Sequence, residues 1–247
     1  MISTRRFWFF YLSTLLAAVI FAASAGATGF GLEILGNGQT WKYNSTDLGC
    51  SDPGEGTKSQ CTGSGLVVSA GLLRLDSWSI SLDGDPVISG PIAVTNLSGS
   101  TQQFTFTFTL PTVTGPLTLT GGSVQGGMTD NNGDGVTLST ASGSAFYTPM
   151  IDGGAFGPGI LYADPQSFSA GGFLSGNVPN LAFGTPIPSQ PGPAVATSIG
   201  IKLDFLLTKQ DSATFSSVFV VQPVPEPGTA ALLGLGLLTL GIRSRRR

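Results

Sequence analysis

The sequence of 247 residues contains no histidine. This absence excludes Ser-His-Asp and Cys-His catalysis, histidine general bases and histidine metal ligands. Charged residues are also scarce, at 10% of the chain, against about 25% in an ordinary soluble domain. The net charge of −3 offers no basic footprint, so we expect no nucleic-acid partner. Because 41% of the residues are apolar, the composition also argues against a disordered chain.

The central part of the chain, residues 28–222, lacks a convincing apolar stripe of helical period. Strict alternation is common instead: Phe104–Leu110 alternates phenylalanine with threonine, and Ile199–Leu207 alternates apolar with mostly polar residues. Gly, Pro, Asn and Asp separate such segments, as in all-β chains. We predict an all-β domain, an antiparallel two-sheet β-sandwich with jelly-roll-like connectivity. Residues 176–193, rich in Gly and Pro, are predicted to be a long loop or an irregular edge.

The first 27 residues are typical of a secretory signal peptide. Arg5 and Arg6 form a positive start, and an apolar run follows from Phe7 to Ala22. Small residues then offer cleavage sites after Ala25 or Ala27. We expect a signal helix that is removed after export through the general secretion machinery. The alternative is an uncleaved N-terminal membrane helix.

Residues 223–247 contain three parts in a fixed order. A proline-framed acidic motif, Pro225-Glu226-Pro227, comes first, and an apolar stretch, Thr229–Ile242, follows it. The chain closes with a basic cluster formed by Arg243, Arg245, Arg246 and Arg247. As a short apolar helix, the 14-residue stretch reaches about 21 Å, less than the roughly 30 Å of a bilayer core. It can still stop in the inner membrane, with the arginines on the cytoplasmic side.

This three-part pattern resembles the PEP-CTERM sorting signal. The resemblance, which covers only the C-terminal residues, implies an exopolysaccharide-producing Gram-negative bacterium and an exosortase. That multi-pass membrane enzyme recognises the Pro-Glu-Pro segment and cuts or transfers the protein off its anchor. The resemblance assigns Pro225, Glu226 and Pro227 to recognition, Thr229–Ile242 to the transient transmembrane segment, and Arg243–Arg247 to the C-terminal stop. An ordinary tail anchor behind a proline-rich linker is the alternative.

Cys50 and Cys61 are the only two cysteines. In an exported chain, an even number of cysteines predicts a disulfide. The alternative is two unpaired thiols; a metal pair is less favoured, since two thiolates without histidine leave a zinc site incomplete.

A second motif, Asp130 to Gly135, matches the first half of a calcium loop. Asp130, Asn132 and Asp134 would supply oxygen ligands, but Ala141 stands where such a loop has its bidentate glutamate. A turn explains the same residues, because Asn-Gly and Asp-Gly favour positive φ. We therefore expect no cofactor, with calcium at these residues as the alternative.

Three aromatic residues in predicted strands, Trp41, Tyr43 and Trp78, are candidates for stacking on sugar rings. The competing interpretation is that they pack in the core, as large aromatic residues in strands usually do. Asp83 and Asp85 could form a glycosidase pair, but their turn-like surroundings make catalysis the weakest hypothesis.

The domain organisation predicted from the sequence is a signal peptide (1–27), a β-sandwich ectodomain (28–222) and the sorting signal (223–247). We expect a non-enzymatic, exported protein whose precursor is anchored transiently in the inner membrane. The mature protein would then serve a structural or adhesive role at the cell surface or in the extracellular matrix of a biofilm. The alternative is a carbohydrate-binding module of the exopolysaccharide matrix, with calcium support.

Overall fold

A computed structural model describes residues 29–51, 58–68, 71–83 and 85–224. The predicted signal helix, the Pro-Glu-Pro motif, the apolar C-terminal helix and the arginine cluster lie outside the described residues. Within the described ranges, no helix combines the length and the hydropathy needed to cross a bilayer.

The described residues form sixteen strands in two antiparallel sheets and one short 3-10 helix, Gly157–Gly159. The nine-stranded sheet, called sheet A, contains β1 (Gly31–Gly36), β2 (Gln39–Asn44), β6 (Gln102–Pro111), β8 (Val136–Ser139), β9 (Ala145–Ile151), β10 (Gly154–Ala155), β11 (Leu161–Ala163), β12 (Ser167–Ala170) and β15 (Ser198–Leu207). The seven-stranded sheet, called sheet B, contains β3 (Ser59–Val68), β4 (Leu73–Asp83), β5 (Val87–Asn96), β7 (Thr118–Thr129), β13 (Ser175–Phe183), β14 (Gln190–Gly192) and β16 (Ser212–Pro223). The prediction of two antiparallel sheets is confirmed, whereas jelly-roll-like connectivity stays a prediction.

The core lies between the two sheets and is rich in phenylalanine. In β6, Phe104, Phe106 and Phe108 are buried, and the threonines between them are half-buried on the other face. Alternation along a strand sends successive side chains to opposite faces, so this sequence can present only one apolar face. Across the sandwich, the ring centroids of Phe205 in sheet A and Phe215 in sheet B lie 4.7 Å apart. One continuous apolar core therefore joins the sheets.

Two buried polar side chains also connect the sheets. The hydroxyl of Tyr147 in β9 donates a hydrogen bond of 2.7 Å to the carbonyl oxygen of Val218 in β16. Asn96, at the end of β5, is fully buried and donates through Nδ2 to the carbonyl oxygens of Leu207 and Thr208, each at 3.0 Å. Since an unpaired polar group in a core is costly, these bonds fix the relative position of the sheets.

Of the two predictions for residues 176–193, a long loop or an irregular edge, the structure supports the irregular edge. Residues up to Phe183 belong to β13, which pairs with β7 through an irregularity between Val178 and Leu181. Residues Gln190–Gly192 form β14, which also pairs with β7. Prolines are tolerated there because β13 and β14 lie at the edge of sheet B, where a missing amide donor breaks no internal ladder.

The last strand, β16, is a central strand. It lies between β7 and β5, with Pro223 paired to Thr118 of β7. The domain's first strand, β1, begins at the same end of the sandwich, since Gly31 lies opposite Thr109 near the end of β6. The chain therefore enters and leaves the described domain at one end, which we call the exit end; the opposite end is the far end.

Candidate functional site

At the exit end, Val224, the last described residue, still pairs with the neighbouring strand segment. The amide of Val224 donates a hydrogen bond of 2.9 Å to the carbonyl oxygen of Leu117, just before β7. Pro225, the first residue of the Pro-Glu-Pro motif, follows Val224 directly in the sequence. The strand ladder thus continues to the residue that precedes the motif.

A carboxylate clamp stiffens the same end. Asp152, in the turn after β9, accepts hydrogen bonds from the amides of Ala196, Thr197 and Ser198 at 3.0, 2.7 and 3.1 Å. These amide donors, with the Thr197 hydroxyl, lower the pKa of Asp152 to about 2 against the weaker opposing effect of burial. The clamped segment in turn pairs with residues 112–114, because the amide of Thr112 donates to the carbonyl oxygen of Thr197.

The candidate calcium loop lies at the far end, between β7 and β8. Asp130 is buried, and its carboxylate accepts amide hydrogen bonds from Asn132, Gly133, Gly135 and Phe173. Burial by itself would raise the pKa of Asp130, but the four amide donors together lower it. A carboxylate offers about four lone-pair positions. All four positions of Asp130 are therefore engaged by backbone amides of the protein itself.

The structure adds Asp211, which no sequence motif indicated, to this loop. One carboxylate oxygen each of Asp130, Asp134 and Asp211 lies within 4.8 Å of the others. Lys209 Nζ lies 2.7 Å from the carboxylate of Asp134, and this hydrogen-bonded carboxylate raises the pKa of Lys209. Burial raises the pKa of Asp211, and the neighbouring Asp130 contributes in the same direction.

The predicted ligand Asn132 is also engaged within the loop. Its Oδ1 accepts the amide of Asp134 at 3.0 Å, and its Nδ2 donates to the carbonyl oxygen of Lys209 at 3.0 Å. Gly133 and Gly135 have φ of 90° and 96°, as the turn interpretation requires. Hydrogen bonds and one lysine thus account for the loop geometry, and calcium at Asp130, Asn132 and Asp134 stays the untested alternative.

The predicted disulfide between Cys50 and Cys61 is present. It ties the segment after β2 to β3, beside Trp78 of β4.

The indole Nε1 of Trp78 donates a hydrogen bond of 2.9 Å to the carbonyl oxygen of Leu48, and a Cβ at Gly63 would lie 2.0 Å from the ring. Only 7% of Trp78 is exposed. This enclosure of the Trp78 ring favours the core-packing interpretation over sugar stacking.

Trp41 and Tyr43 lie on one face of β2, an edge strand of sheet A. Both side chains are half-buried and pack against the core. Burial, with a smaller contribution from Asp47, raises the pKa of Tyr43. These contacts favour the packing interpretation, and sugar stacking by Trp41 and Tyr43 stays a prediction.

A shallow groove crosses the outer face of sheet B. It consists of two adjoining depressions of about 480 and 410 Å³ that share Gln125, Asn180 and Ser216. None of the described residues that line it is charged. The polar residues that line it are Ser89, Ser123, Gln125, Asn177, Asn180, Thr214, Ser216 and Ser217, of which Ser217 is buried. The groove runs from β13 across β7 and β16 to β5, roughly 14 Å at about 4.8 Å per strand.

Comparison with known proteins identifies the C-terminal segment. Residues 223–247 match the family model of the PEP-CTERM protein-sorting motif. No curated protein matches the chain. The match begins at Pro223, the last residue of β16. The predicted sorting signal is therefore confirmed as a member of this motif family, and the motif implies export and exosortase processing of a membrane-anchored precursor.

Proposed function

We propose that this chain is a non-enzymatic structural or adhesive protein of the cell surface or the extracellular polysaccharide matrix of a Gram-negative bacterium. An exosortase-type system would deliver it after export through the general secretion machinery. The inner membrane would hold the precursor only until processing.

The observation that carries this proposal is the position of the two chain ends. The domain begins at β1 and finishes at β16 on the same side, and the matched sorting segment begins at Pro223, the last residue of β16. A precursor held in a membrane through this segment would direct its exit end to the membrane. The far end would then point away from this membrane, and the outer faces of both sheets would point sideways.

The architecture of the domain supports a mechanical role. The last strand is held on both edges by β7 and β5, so a pull on the C-terminus would act along a strand with two ladders of hydrogen bonds. Tyr147 and Asn96 link the sheets, and the disulfide closes the loop beside β3. These features favour a rigid body over one that opens around a substrate.

The experiment that tests this proposal uses the producing bacterium. A strain carrying the Glu226→Ala variant should accumulate the precursor in the inner-membrane fraction, because the motif's only acidic residue is lost. A deletion strain should lose matrix cohesion or surface attachment, and the wild-type gene should restore it. Normal processing of the Glu226→Ala variant, or a deletion strain with unchanged matrix and attachment, would count against the proposal.

A second candidate function, carbohydrate binding, is favoured by the groove on sheet B. Its lining combines hydroxyl and amide groups with no charge among the described residues. Such groups exchange hydrogen bonds with the hydroxyls of a neutral polysaccharide without desolvating a charge. Pro91 and Pro179 supply apolar surfaces beside them.

Binding of the purified exported protein to the host's own polysaccharide tests this second function. Gln125→Ala with Asn180→Ala should abolish retention on the immobilised polymer, whereas Trp41→Ala should not. The same measurement with calcium and with chelator tests calcium support. Equal retention of wild-type protein and the groove variant would argue against this site.

A further inference from the structure

We infer that the exit end of the domain is a docking surface for the membrane-embedded enzyme that processes the sorting motif. The surface consists of Val113, Leu117, Asp85, Pro223 and Val224. This inference rests on the proposed sorting step and adds a second recognition element, in the folded domain, to the Pro-Glu-Pro segment.

The first argument is covalent reach. Consecutive Cα atoms are 3.8 Å apart, and an extended chain gains at most about 3.6 Å per residue. Pro227 therefore lies no more than about 11 Å from the Cα of Val224, which is paired with Leu117. One α-helix is roughly 10 Å in diameter. A helical enzyme that encloses the motif must then touch the end of the sandwich as well.

The second argument is the chemistry of this end. Leu117 is 55% exposed and Val113 is 69% exposed, on the short segment that joins β6 to β7. On the other side of β16, the ends of β4, β5 and β16 line a recess of about 470 Å³ that includes Asp83 and Asp85. The end of the strand thus lies between an apolar patch and an acidic recess.

The third argument is that the surface is held in place before any partner arrives. The amide of Thr114 donates a hydrogen bond of 2.9 Å to the carbonyl oxygen of Val195. The amide of Val195 donates one of 2.9 Å to the hydroxyl of Thr114. The Asp152 clamp holds the next three residues of the same segment. Val113 lies beside these bonds, and the Leu117 carbonyl oxygen accepts the amide of Val224. A partner would therefore lose little entropy in ordering the two residues.

The partner's chemistry follows from the charges at this surface. Lys58 Nζ lies 3.2 Å from the carboxylate of Asp83, whereas Asp85 is exposed and has no ion pair within the described part of the chain. The complementary face of the enzyme would offer apolar contacts to Leu117 and Val113 and a basic group toward Asp85.

The test measures the rate at which the full-length chain loses its C-terminal segment in cells that contain the enzyme. Val113→Ser with Leu117→Ser should slow processing by at least about fivefold, as expected when contact residues of an interface are removed. The matched control, Val67→Ser with Leu174→Ser, changes residues of the same types that are 53% and 59% exposed at the far end. This control should be processed at the wild-type rate. Protease resistance of each variant reports whether it is folded.

A spacer distinguishes docking on the enzyme from contact with the lipid surface. About 12 Gly and Ser residues between Val224 and Pro225 add a reach of roughly 20 Å, so the enzyme no longer has to touch the domain. In this background, the Val113→Ser and Leu117→Ser changes should have no effect on the rate. An equal slowing with and without the spacer would overturn the inference and indicate contact with the lipid surface instead. Wild-type rates for the exit-end variant without the spacer would overturn it too.

The failure of the sorting proposal would look different. If the Glu226→Ala chain is processed like wild type, recognition of the motif is itself wrong, whatever the exit-end variants do. If Glu226→Ala blocks processing while Val113→Ser with Leu117→Ser changes nothing, sorting stands and the docking surface does not.

Discussion

The hydroxyl of Tyr147 in one sheet donates a hydrogen bond of 2.7 Å to the carbonyl oxygen of Val218 in the other. Tyr147 is fully buried, and this burial raises its pKa well above 10. A cross-sheet bond from a neutral phenol therefore forms part of the core, independent of pH over the physiological range.

Replacing Tyr147 by Phe should lower the free energy of unfolding by about 1–2 kcal/mol, because the change leaves the Val218 carbonyl without this donor. Urea denaturation would measure the loss. Tyr162→Phe is the matched control, since the Tyr162 hydroxyl also bonds a backbone carbonyl at 2.7 Å but in an exposed setting. Equal losses of unfolding free energy in the two variants would show that burial does not strengthen the contribution of the Tyr147 hydrogen bond.

Asn96→Ala should cost about 2–4 kcal/mol of stability, because it removes the partner of several main-chain groups at once. The side-chain Nδ2 of Asn96 lies within hydrogen-bonding distance of the carbonyl oxygens of Ser100, Leu207 and Thr208. Its Oδ1 accepts a hydrogen bond from the backbone amide of Ser98. Asn180→Ala, on the exposed surface of β13, should change stability by less than about 0.5 kcal/mol. Thermal or urea unfolding of both variants is the check.

Reducing the bond between Cys50 and Cys61 should lower stability by roughly 3 kcal/mol, since it frees a loop of about 12 residues in the unfolded chain. The unfolding midpoint with and without reductant measures this effect. A Cys50→Ser, Cys61→Ser variant should match the reduced protein and be insensitive to reductant. A midpoint that reductant leaves unchanged in the wild type would contradict the prediction.

The Asp152 clamp should make stability depend on acid pH. The pKa of Asp152 is about 2 in the folded protein, against an ordinary value of 3.8, so the clamp's contribution is present above about pH 4. It is lost as the pH falls from about 4 to 2, because the carboxylate must be protonated. Unfolding temperatures measured from pH 6 to 2 should show this loss in wild type and less of it in Asp152→Asn. Asp85→Asn, at an exposed hairpin position, is the control.

Calcium at millimolar concentration should leave the unfolding temperature unchanged. The carboxylate of Asp130 is already occupied by four amides, and Lys209 neutralises Asp134, so an ion would have to displace existing partners. Melting curves with calcium and with chelator provide the measurement. An upward shift with calcium that Asp211→Asn abolishes would instead establish a site formed by the three aspartates.

The all-β class could be predicted from the sequence because alternation is a local property. Phenylalanine and threonine alternate through β6. A β-strand is the regular structure that places such alternate residues on opposite faces. By contrast, the choice between a loop and an edge strand could not be made for β13, because its composition, SGNVPNLAF, suits both. Pairing with β7 makes it a strand, and that partner lies about 50 residues earlier in the chain.

The candidate sites show the same division. Asp130 and Asp134 belong to a contiguous motif that the sequence displays, but Asp211 joins them only through the return of the chain after β15. Trp78 is of a residue type that can stack on sugar rings. Its ring instead packs over Gly63, where a side chain would collide with it. Such contacts depend on which strands become neighbours, and no local pattern encodes that choice.

The central position of β16 has a consequence for the order of events during biosynthesis. Until residues 212–223 have crossed the membrane, sheet B exists only as separate pieces, because β16 is the strand that joins β5 to β7. In sheet A, β15 likewise joins β6 to β9. A chain cut short by premature termination would therefore lack both a closed core and the sorting segment. The last strand of the fold and the sorting segment are therefore exported together. Only chains that contain every strand of both sheets would reach the processing step.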